Sequence, residues 1–227
     1  MPKLSVIATP IGNLEDITLR AIRTLKEADI VLCEDTRVTK KILVQYEITT
    51  PTLSFHSQSG KAKVDKIITA LQEGKHVALV SDAGTPGVSD PGAQLLSTIR
   101  TTFRDEVRIE TIPGASALTA SLAIAGLRTA TFTFYGFLPQ KKGRETAFKA
   151  IIADEKAAIF YESPHRILKA LASLSGRLQE GRRVGIFREL TKMFEEVKIG
   201  SPEELLAYLE AHPVKQKGEF VVIVEGK

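Results

Sequence analysis

Hydrophobic positions in the first half of the chain fall in short β-branched runs separated by stretches with helical spacing. Residues 4–8 are predicted to form a strand that ends at Thr9-Pro10-Ile11-Gly12-Asn13. Asp16 reads as the N-cap of a helix that turns Ile17, Ala21, Ile22, Leu25 and Ala28 inward and Arg20, Arg23 and Lys26 outward. The alternation continues with strand 30–34, helix 36–46, strand 52–55, helix 64–71, strand 76–80, helix 92–99 and strand 107–112. Strands that alternate with helices through short connections predict a parallel sheet covered on both faces.

The second half has a different rhythm. Strand 131–137, helix 144–152, strand 157–161 and helix 164–174 come first, with Pro164 placed in a first helical turn. Strands then dominate, at 183–188, 195–199 and 219–224, with helix 202–210 between the last two. Consecutive strands without crossovers predict a mixed sheet. The expectation is an α/β protein of two domains, 1–112 and 113–227, divided near Ile112-Pro113-Gly114.

Composition adds limits. Hydrophobic residues at 43% and charged residues at 26% of 227 suit a globular protein rather than a disordered one. No apolar run approaches the ~20 residues that span a bilayer, and Met1-Pro2-Lys3 leads straight into a strand, so neither a membrane span nor a signal peptide is expected. The single cysteine, Cys33, excludes an internal disulfide and a cysteine metal cluster, which makes the cytoplasm the expected compartment. Cys33 lies in an apolar run and reads as a buried structural thiol. The net charge of +4 is compatible with a nucleic-acid partner and, without a strongly amphipathic basic helix, favours an acidic partner over a membrane surface.

Parallel sheets bind ligands beyond the carboxyl ends of their strands. Those ends carry 9–13, Glu34-Asp35-Thr36-Arg37, Ser81-Asp82-Ala83-Gly84-Thr85-Pro86 and Pro113-Gly114-Ala115-Ser116, each small, polar or glycine-rich. One such loop alone is read as a tight turn; four at one sheet edge predict a site. Loop 81–92 is the strongest, because Gly84, Gly87 and Gly92 with Pro86 and Pro91 give a rigid path with little side-chain bulk. Asp82, at a buried strand end, is placed to accept from an amine or a ribose hydroxyl, whereas Asp90 reads as the cap of the following helix.

Several chemistries are excluded. There is no G-x-x-x-x-G-K-S/T loop, no G-x-G-x-x-G after the first strand and no G-x-S-x-G elbow. His56, His76, His165 and His212 lack metal-ligand spacing, so no metal is expected. Asp35 with Arg37 is open to two readings, a structural ion pair or a substrate contact. The block 161–166 is equally open: His165 and Arg166 at a helix start could meet a phosphate, or Glu162 and Arg166 could pair locally. Arg188 and Lys192, with Glu189, form another polar strand end. The basic loop with Lys141, Lys142 and Arg144 would suit phosphate-backbone contact beside a site.

Taken together, the stretches TPIGNLEDITLRA, EDTRVTKKIL, VALVSDAGTPGVSDPG, IPGASALTASLAIAGL, FYGFLPQKKGRE, IFYESPHRIL, FRELTK and KGEFVVIVEG run in order from residue 9 to the C-terminal end. They resemble the tetrapyrrole methylase superfamily and, within it, the ribosomal RNA small subunit methyltransferase I family. The resemblance implies a two-domain fold with S-adenosylmethionine in a cleft between the domains. It also implies a homodimer and methylation of the ribose 2′-hydroxyl of a cytidine in 16S ribosomal RNA of the small subunit. Carried over by segment, cofactor contacts are expected from Pro10, Ile11 and Gly12, from Asp82, Ala83, Gly84 and Thr85, from Ser116 and Ala117, from Phe160 and Tyr161, and from Gly218 and Glu219. Asp35, His56, Glu162 and Glu189 are the candidate bases for the hydroxyl proton. Arg37, Lys141, Lys142, Arg144, His165, Arg166, Arg188 and Lys192 are the candidate RNA contacts.

The sequence departs from the family pattern in two places. Where the family has H-x-x-N-E, this chain reads His56-Ser57-Gln58-Ser59-Gly60, without the Asn-Glu pair. Family members commonly continue with a further helical segment after the last strand, whereas this sequence ends at Lys227; if that extension helps hold the subunit, binding through other surfaces or weaker binding is expected. Two other functions are compatible with the shared cofactor loops: methylation of a small molecule such as a tetrapyrrole precursor, and non-catalytic cofactor binding by a ribosome assembly factor.

Overall fold

A computed structural model describes residues 1–56, 59–90 and 92–227. Ser57, Gln58 and Pro91, which figure among the sequence expectations, lie outside the described residues. The chain divides into two compact units, Met1–Ser116 and Ala117–Lys227.

The first unit holds strands β1 (Lys3–Ile7), β2 (Ile30–Cys33), β3 (Thr52–Ser54), β4 (His76–Val80) and β5 (Arg108–Ile112). They form one sheet in the order β3-β2-β4-β1-β5 with every pairing parallel. Its helices are α1 (Leu19–Glu27), α2 (Thr36–Gln45), α3 (Lys61–Gln72) and α4 (Gly92–Phe103). Alternation along the strands sends side chains to opposite faces. Leu4, Val6, Val77 and Leu79 join Ile67 and Leu71 of α3 and Leu95, Ile99 and Phe103 of α4 in one core. Ile7, Ala78 and Val80 join Ala21 and Leu25 of α1 and Leu43 of α2 in the other. Burial on both faces is what the continuous apolar runs of a parallel sheet require, at about 1.5–3 kcal/mol for each large side chain fully buried.

Cys33 is buried in the second of these cores, and its thiol is pushed up by burial. Asp16 is not the cap of α1. Thr18 takes that role, its hydroxyl accepting from the Ala21 N–H at 3.0 Å, while residues Leu14–Asp16 form a separate 3-10 turn capped by Asn13. The turn uses up the residues that would otherwise start the helix early.

The second unit contains α5 (Ala117–Ile124), β6 (Phe132–Phe137), α6 (Arg144–Ala153), β7 (Ala157–Glu162), α7 (Ile167–Leu174), β8 (Val184–Arg188), β9 (Glu196–Gly200), α8 (Pro202–Ala211) and β10 (Phe220–Val224). Its sheet runs β6-β7-β10-β8-β9, parallel only between β6 and β7. The last strand in sequence is the middle strand of the sheet. Helices α6, α7 and α8 bury Phe148, Ile151, Ile167, Leu171, Leu205 and Leu209 against one face. Nothing in the sequence pattern predicts α5, because it is almost uniformly apolar, and Thr119 and Ser121 do not form a polar stripe that would set a period. The start of α7 also differs from expectation. Pro164 sits in a turn in which the Ser163 carbonyl accepts from the N–H groups of both Arg166 and Ile167, and the helix begins only at Ile167.

Buried Glu225, just past β10, ties three segments of this unit together. It accepts from the Arg128 N–H at 3.0 Å and from the Arg183 guanidinium at 2.9 and 3.1 Å. Arg182 caps the Glu225 carbonyl and donates to the carbonyls of Ile152 at 3.0 Å and Lys156 at 3.1 Å. Arg183 foremost, with these N–H donors, lowers the Glu225 carboxyl to about 2 against the upward push of burial. A depressed folded-state pKa stabilises the fold above the ordinary carboxylate range and loses that effect on acidification. Glu225→Gln is therefore expected to cost about 2 kcal/mol at neutral pH. The difference from the unaltered protein should close as the pH falls from about 4.5 toward about 2, as read by urea unfolding in a pH series.

Candidate active site

Because the strands of the first unit are parallel, their polar continuations all emerge at one edge. Beyond β1 and β4 the chain reverses its pairing. The Thr9 N–H donates to the Gly84 carbonyl at 2.9 Å and the Gly84 N–H to the Thr9 carbonyl at 3.0 Å, an antiparallel bridge past two parallel strands. Gly84 adopts φ +82°, and a Cβ there would lie 3.3 Å from Cγ2 of Ile11. The backbone angle favours glycine, and the contact leaves an added side chain little room. The Thr9 hydroxyl donates to the Ser81 carbonyl at 3.1 Å and the Ser81 hydroxyl to the Gly84 carbonyl at 3.1 Å. The Thr85 hydroxyl donates to the Ala115 carbonyl at 3.1 Å, which draws in the segment after β5.

Asp82 joins this edge to β2. Its Oδ1 accepts from the Asp35 N–H at 2.9 Å, while Oδ2 has no hydrogen-bond partner among the described residues. Asp90 accepts from the N–H groups of Gly87 at 2.6 Å and Gly92 at 2.9 Å, closing the loop and capping α4. Glu34, absent from the predicted site residues, lies in the same place. Burial pushes its carboxyl up, the Asp82 and Asp90 carboxylates add to this, and a hydrogen bond from the Asp82 N–H opposes it. Thr9, Ser81 and Glu34 fall within the strand-end segments that the sequence marks, but no local signal separates their roles from those of neighbouring residues.

The structure thus brings Pro10, Ile11, Gly12, Asp82, Ala83, Gly84, Thr85 and Ser116 to one sheet edge, with Ala83 and Gly12 exposed and Gly84 buried. Asp35 is there too, as the N-cap of α2. Its carboxylate accepts from the Arg37 N–H at 2.9 Å and from Nε and Nη2 of Arg37 at 3.0 and 2.6 Å. Hydrogen bonding by the guanidinium first, and by the N–H second, brings its carboxyl to about 2. Of the two readings the sequence left open, the ion pair is present. His56 follows β3, and its ring has no ion pair or hydrogen bond among the described residues.

The remaining predicted residues lie in the second unit. Glu162, buried at the end of β7, is bound by Arg144 Nη2 at 2.6 Å, by Arg166 Nε at 2.9 Å and by the Ser163 N–H at 2.9 Å. Arg166 also donates to the Leu138 carbonyl at 3.2 Å, and Arg144 stacks over Phe148 at 5.1 Å. The local pairing of Glu162 with Arg166 is therefore present, and both guanidinium side chains are largely buried, 14% and 20% exposed. Arg188 is buried and donates to the carbonyls of Lys217 at 2.6 Å and Phe194 at 3.0 Å. Lys192 binds Glu189 at 2.9 Å and Glu219 at 2.7 Å. Burial pushes the Glu189 carboxyl up, but Lys192 and the Glu219 N–H outweigh it and hold it below the ordinary range. Gly218, at φ +102°, leaves room for Glu189, whose Cγ a Cβ would meet at 2.6 Å.

Phe160 is enclosed in the core against Phe148, while Tyr161 stands edge-on between Phe134 and Phe137 at 5.1 and 5.4 Å. Ala117 opens α5. Lys141, Lys142 and His165 are exposed, and no ion pair occupies them among the described residues. Among those residues no group of three His, Cys, Asp or Glu could hold a metal ion, and no helix is long and apolar enough to cross a membrane.

A doubly covered parallel sheet with a glycine-bearing site at its carboxyl edge, followed by a mixed sheet, defines a class. The profile of the family described as Tetrapyrrole (Corrin/Porphyrin) Methylases matches residues 3–206, and the chain belongs to that family. Within it, the chain falls with proteins named ribosomal RNA small subunit methyltransferase I. The one from Thermotoga maritima is 41% identical over 227 residues, covering 100% of both chains. Those from Halalkalibacterium halodurans and Escherichia coli O157:H7 are 45% and 42% identical, over 98% and 99% of this chain and 75% and 78% of theirs. The solved structure of a cobalt precorrin-4 methyltransferase superposes with a TM-score of 0.71 at 17% identity, over 98% of this chain and 94% of that one, which shows the shared fold.

The buried charge cluster makes a firm prediction. Removing the counter-charge shared by two guanidinium groups, by Glu162→Gln, is expected to destabilise the protein by about 3 kcal/mol. Urea denaturation followed by circular dichroism measures it; a loss below about 1 kcal/mol would mean the cluster is solvent-screened.

Proposed function

We propose that this protein is an S-adenosylmethionine-dependent methyltransferase that modifies the ribose 2′-hydroxyl of a cytidine in 16S ribosomal RNA of the small subunit, in the cytoplasm. The observation that carries this reading is the similarity to the Thermotoga maritima protein, 41% identical over 100% of both chains. The sheet edge fits the cofactor. Gly12 and Ala83 are exposed with little side-chain bulk, and Oδ2 of Asp82 is available to accept from an amine or a ribose hydroxyl.

S-adenosylmethionine supplies a methyl carbon on a sulfonium, open to in-line displacement. Pro10, Ile11, Gly12, Asp82, Ala83, Gly84, Thr85, Ser116 and Ala117 would hold it, and Tyr161, Gly218 and Glu219, with the Phe160 backbone, extend the set. The protein's part is to align the ribose oxygen and to exclude water. As the oxygen takes the methyl group, its proton must pass to a base. Asp35, Glu162 and Glu189 each hold a cation, and Asp35, brought to about 2 by Arg37, is a weak proton acceptor. His56 is the candidate whose ring is unengaged among the described residues, and the reading assigns it the proton.

Lys141, Lys142, His165 and the exposed Arg37 are the groups that would meet RNA phosphates, whereas Arg144 and Arg166 hold the carbonyls of Pro139 and Leu138 at the root of the loop with Lys141 and Lys142, and Arg188 holds those of Phe194 and Lys217. A homodimer would cover Phe132 and Phe137, both exposed on edge strand β6.

Incubation with methyl-labelled S-adenosylmethionine and small subunits from a strain lacking the activity should place label in 16S RNA, at a linkage that resists alkali. Label in a tetrapyrrole and none in RNA would instead assign a small-molecule methylase, and cofactor binding without transfer would assign an assembly factor. Asp82→Ala should weaken cofactor binding roughly tenfold to a hundredfold with the fold retained, the effect of losing a hydrogen bond to a charged group. Titration calorimetry reads it, and unchanged affinity would displace the site from this loop.

A further inference from the structure

One concave surface of the first unit is not used by the cofactor reading. Between α2 and the chain entering β3 lies a groove of about 510 Å³, lined by Thr36, Arg37, Lys40, Val44, Thr49 and Thr52 among others, with no acidic residue in its lining. It begins one residue from Asp35, whose N–H is bonded to Asp82. The groove runs along α2 at the outer edge of the sheet, and its Thr36 end follows directly on Asp35.

Its chemistry is specific. Helix α2 carries Arg37, Lys40 and Lys41 and no acid within its ten residues. Arg37 is already paired with Asp35, although its side chain is 89% exposed. Lys40 is exposed and holds no ion pair among the described residues. Threonine hydroxyls on both walls can donate to phosphate oxygens, and the side chain of Val44 gives an apolar strip for a sugar or base. A groove with one unneutralised lysine, a paired but exposed guanidinium, hydroxyl donors and no acid suits a polyanion of repeating phosphate and sugar.

We infer that this groove carries the phosphodiester backbone of the RNA substrate as it leaves the target nucleotide, with Lys40 as its principal phosphate contact. The inference rests on the proposed RNA activity and names a surface that this activity does not by itself assign. Lys41 provides an internal control: it is the next residue, also exposed and carrying the same charge, but does not line the groove.

The test measures binding of small ribosomal subunits, by filter retention between about 50 and 200 mM salt, to the full chain and its variants. Lys40→Ala should weaken binding about threefold, the share of one phosphate contact, and should flatten the slope of log affinity against log salt by about 0.7–0.9. Lys40→Glu should weaken binding roughly tenfold, and Lys41→Glu less than about twofold. Cofactor affinity and the thermal melt should be unchanged in all three. Equal losses for Lys40→Glu and Lys41→Glu would overturn the groove. A loss at Lys40 with no change in salt slope would overturn it too, pointing to a ribosomal protein as occupant. The underlying reading fails separately, if the unaltered protein transfers no methyl group to RNA in the labelling assay.

Discussion

The two hydrogen bonds between Thr9 and Gly84 are the constraint on which the candidate site depends. Strands β1 and β4 run parallel, so their continuations would ordinarily diverge into separate crossovers. The bridge forces them instead to meet for one residue pair in antiparallel fashion. That geometry needs a positive φ at Gly84 and the absence of a side chain against Ile11. Once it forms, the Thr9 and Ser81 hydroxyls are satisfied inside the loop, Asp82 is delivered toward β2, and Thr85 reaches the segment after β5. One backbone contact thereby assembles residues from four strand ends.

The parallel sheet and its site edge were legible in the sequence for a physical reason. Burial on both faces demands continuous apolar strands, and helices on the surface demand a period near 3.6, so the two patterns alternate visibly. The carboxyl-edge rule then turns strand ends into a short list of site segments. Where the pattern was silent, the cause is equally physical. Helix α5 lacks a polar face and so has no periodic signal. Thr18 and Asp16 are both good caps by residue type, and the 3-10 turn at Leu14–Asp16 decides between them by placing Asp16 inside its own last position. At Pro164 the proline favours a helical start, but Arg166 leaves helical geometry as its side chain turns toward Glu162.

Charge is where sequence alone reaches least far. Arg144 and Arg166 look like surface cations in a basic, turn-rich stretch. Their fate is set by Glu162, which is buried and cannot remain ionised in an apolar core without partners. The carboxylate recruits both guanidinium groups across eighteen and four residues of chain. Arg166, held in this way, fixes the Leu138 carbonyl at the root of the loop that displays Lys141 and Lys142. Spacing of four between Glu162 and Arg166 hints at the local pair, but no local pattern specifies Arg144.

The same sorting separates two kinds of basic residue in a protein of modest net charge. A guanidinium is planar and rich in donors, suited to holding carbonyls and carboxylates in a fixed geometry, and the arginines at 144, 166, 182 and 188 are used in that way. Lysine, a hydrated point charge on a flexible stem, gains less from such burial. Lys40, Lys141 and Lys142 accordingly stay in solvent without an ion pair among the described residues. A phosphate backbone asks for exposed, unneutralised charge on flexible stems rather than for fixed forks, because positioning on RNA comes from many weak contacts that release counterions. The different uses of these residues thus follow from their chemistry: the arginines at 144, 166, 182 and 188 build the second unit's loops, while Lys40, Lys141 and Lys142 keep the exposed, unpaired charge that the proposed RNA activity would need.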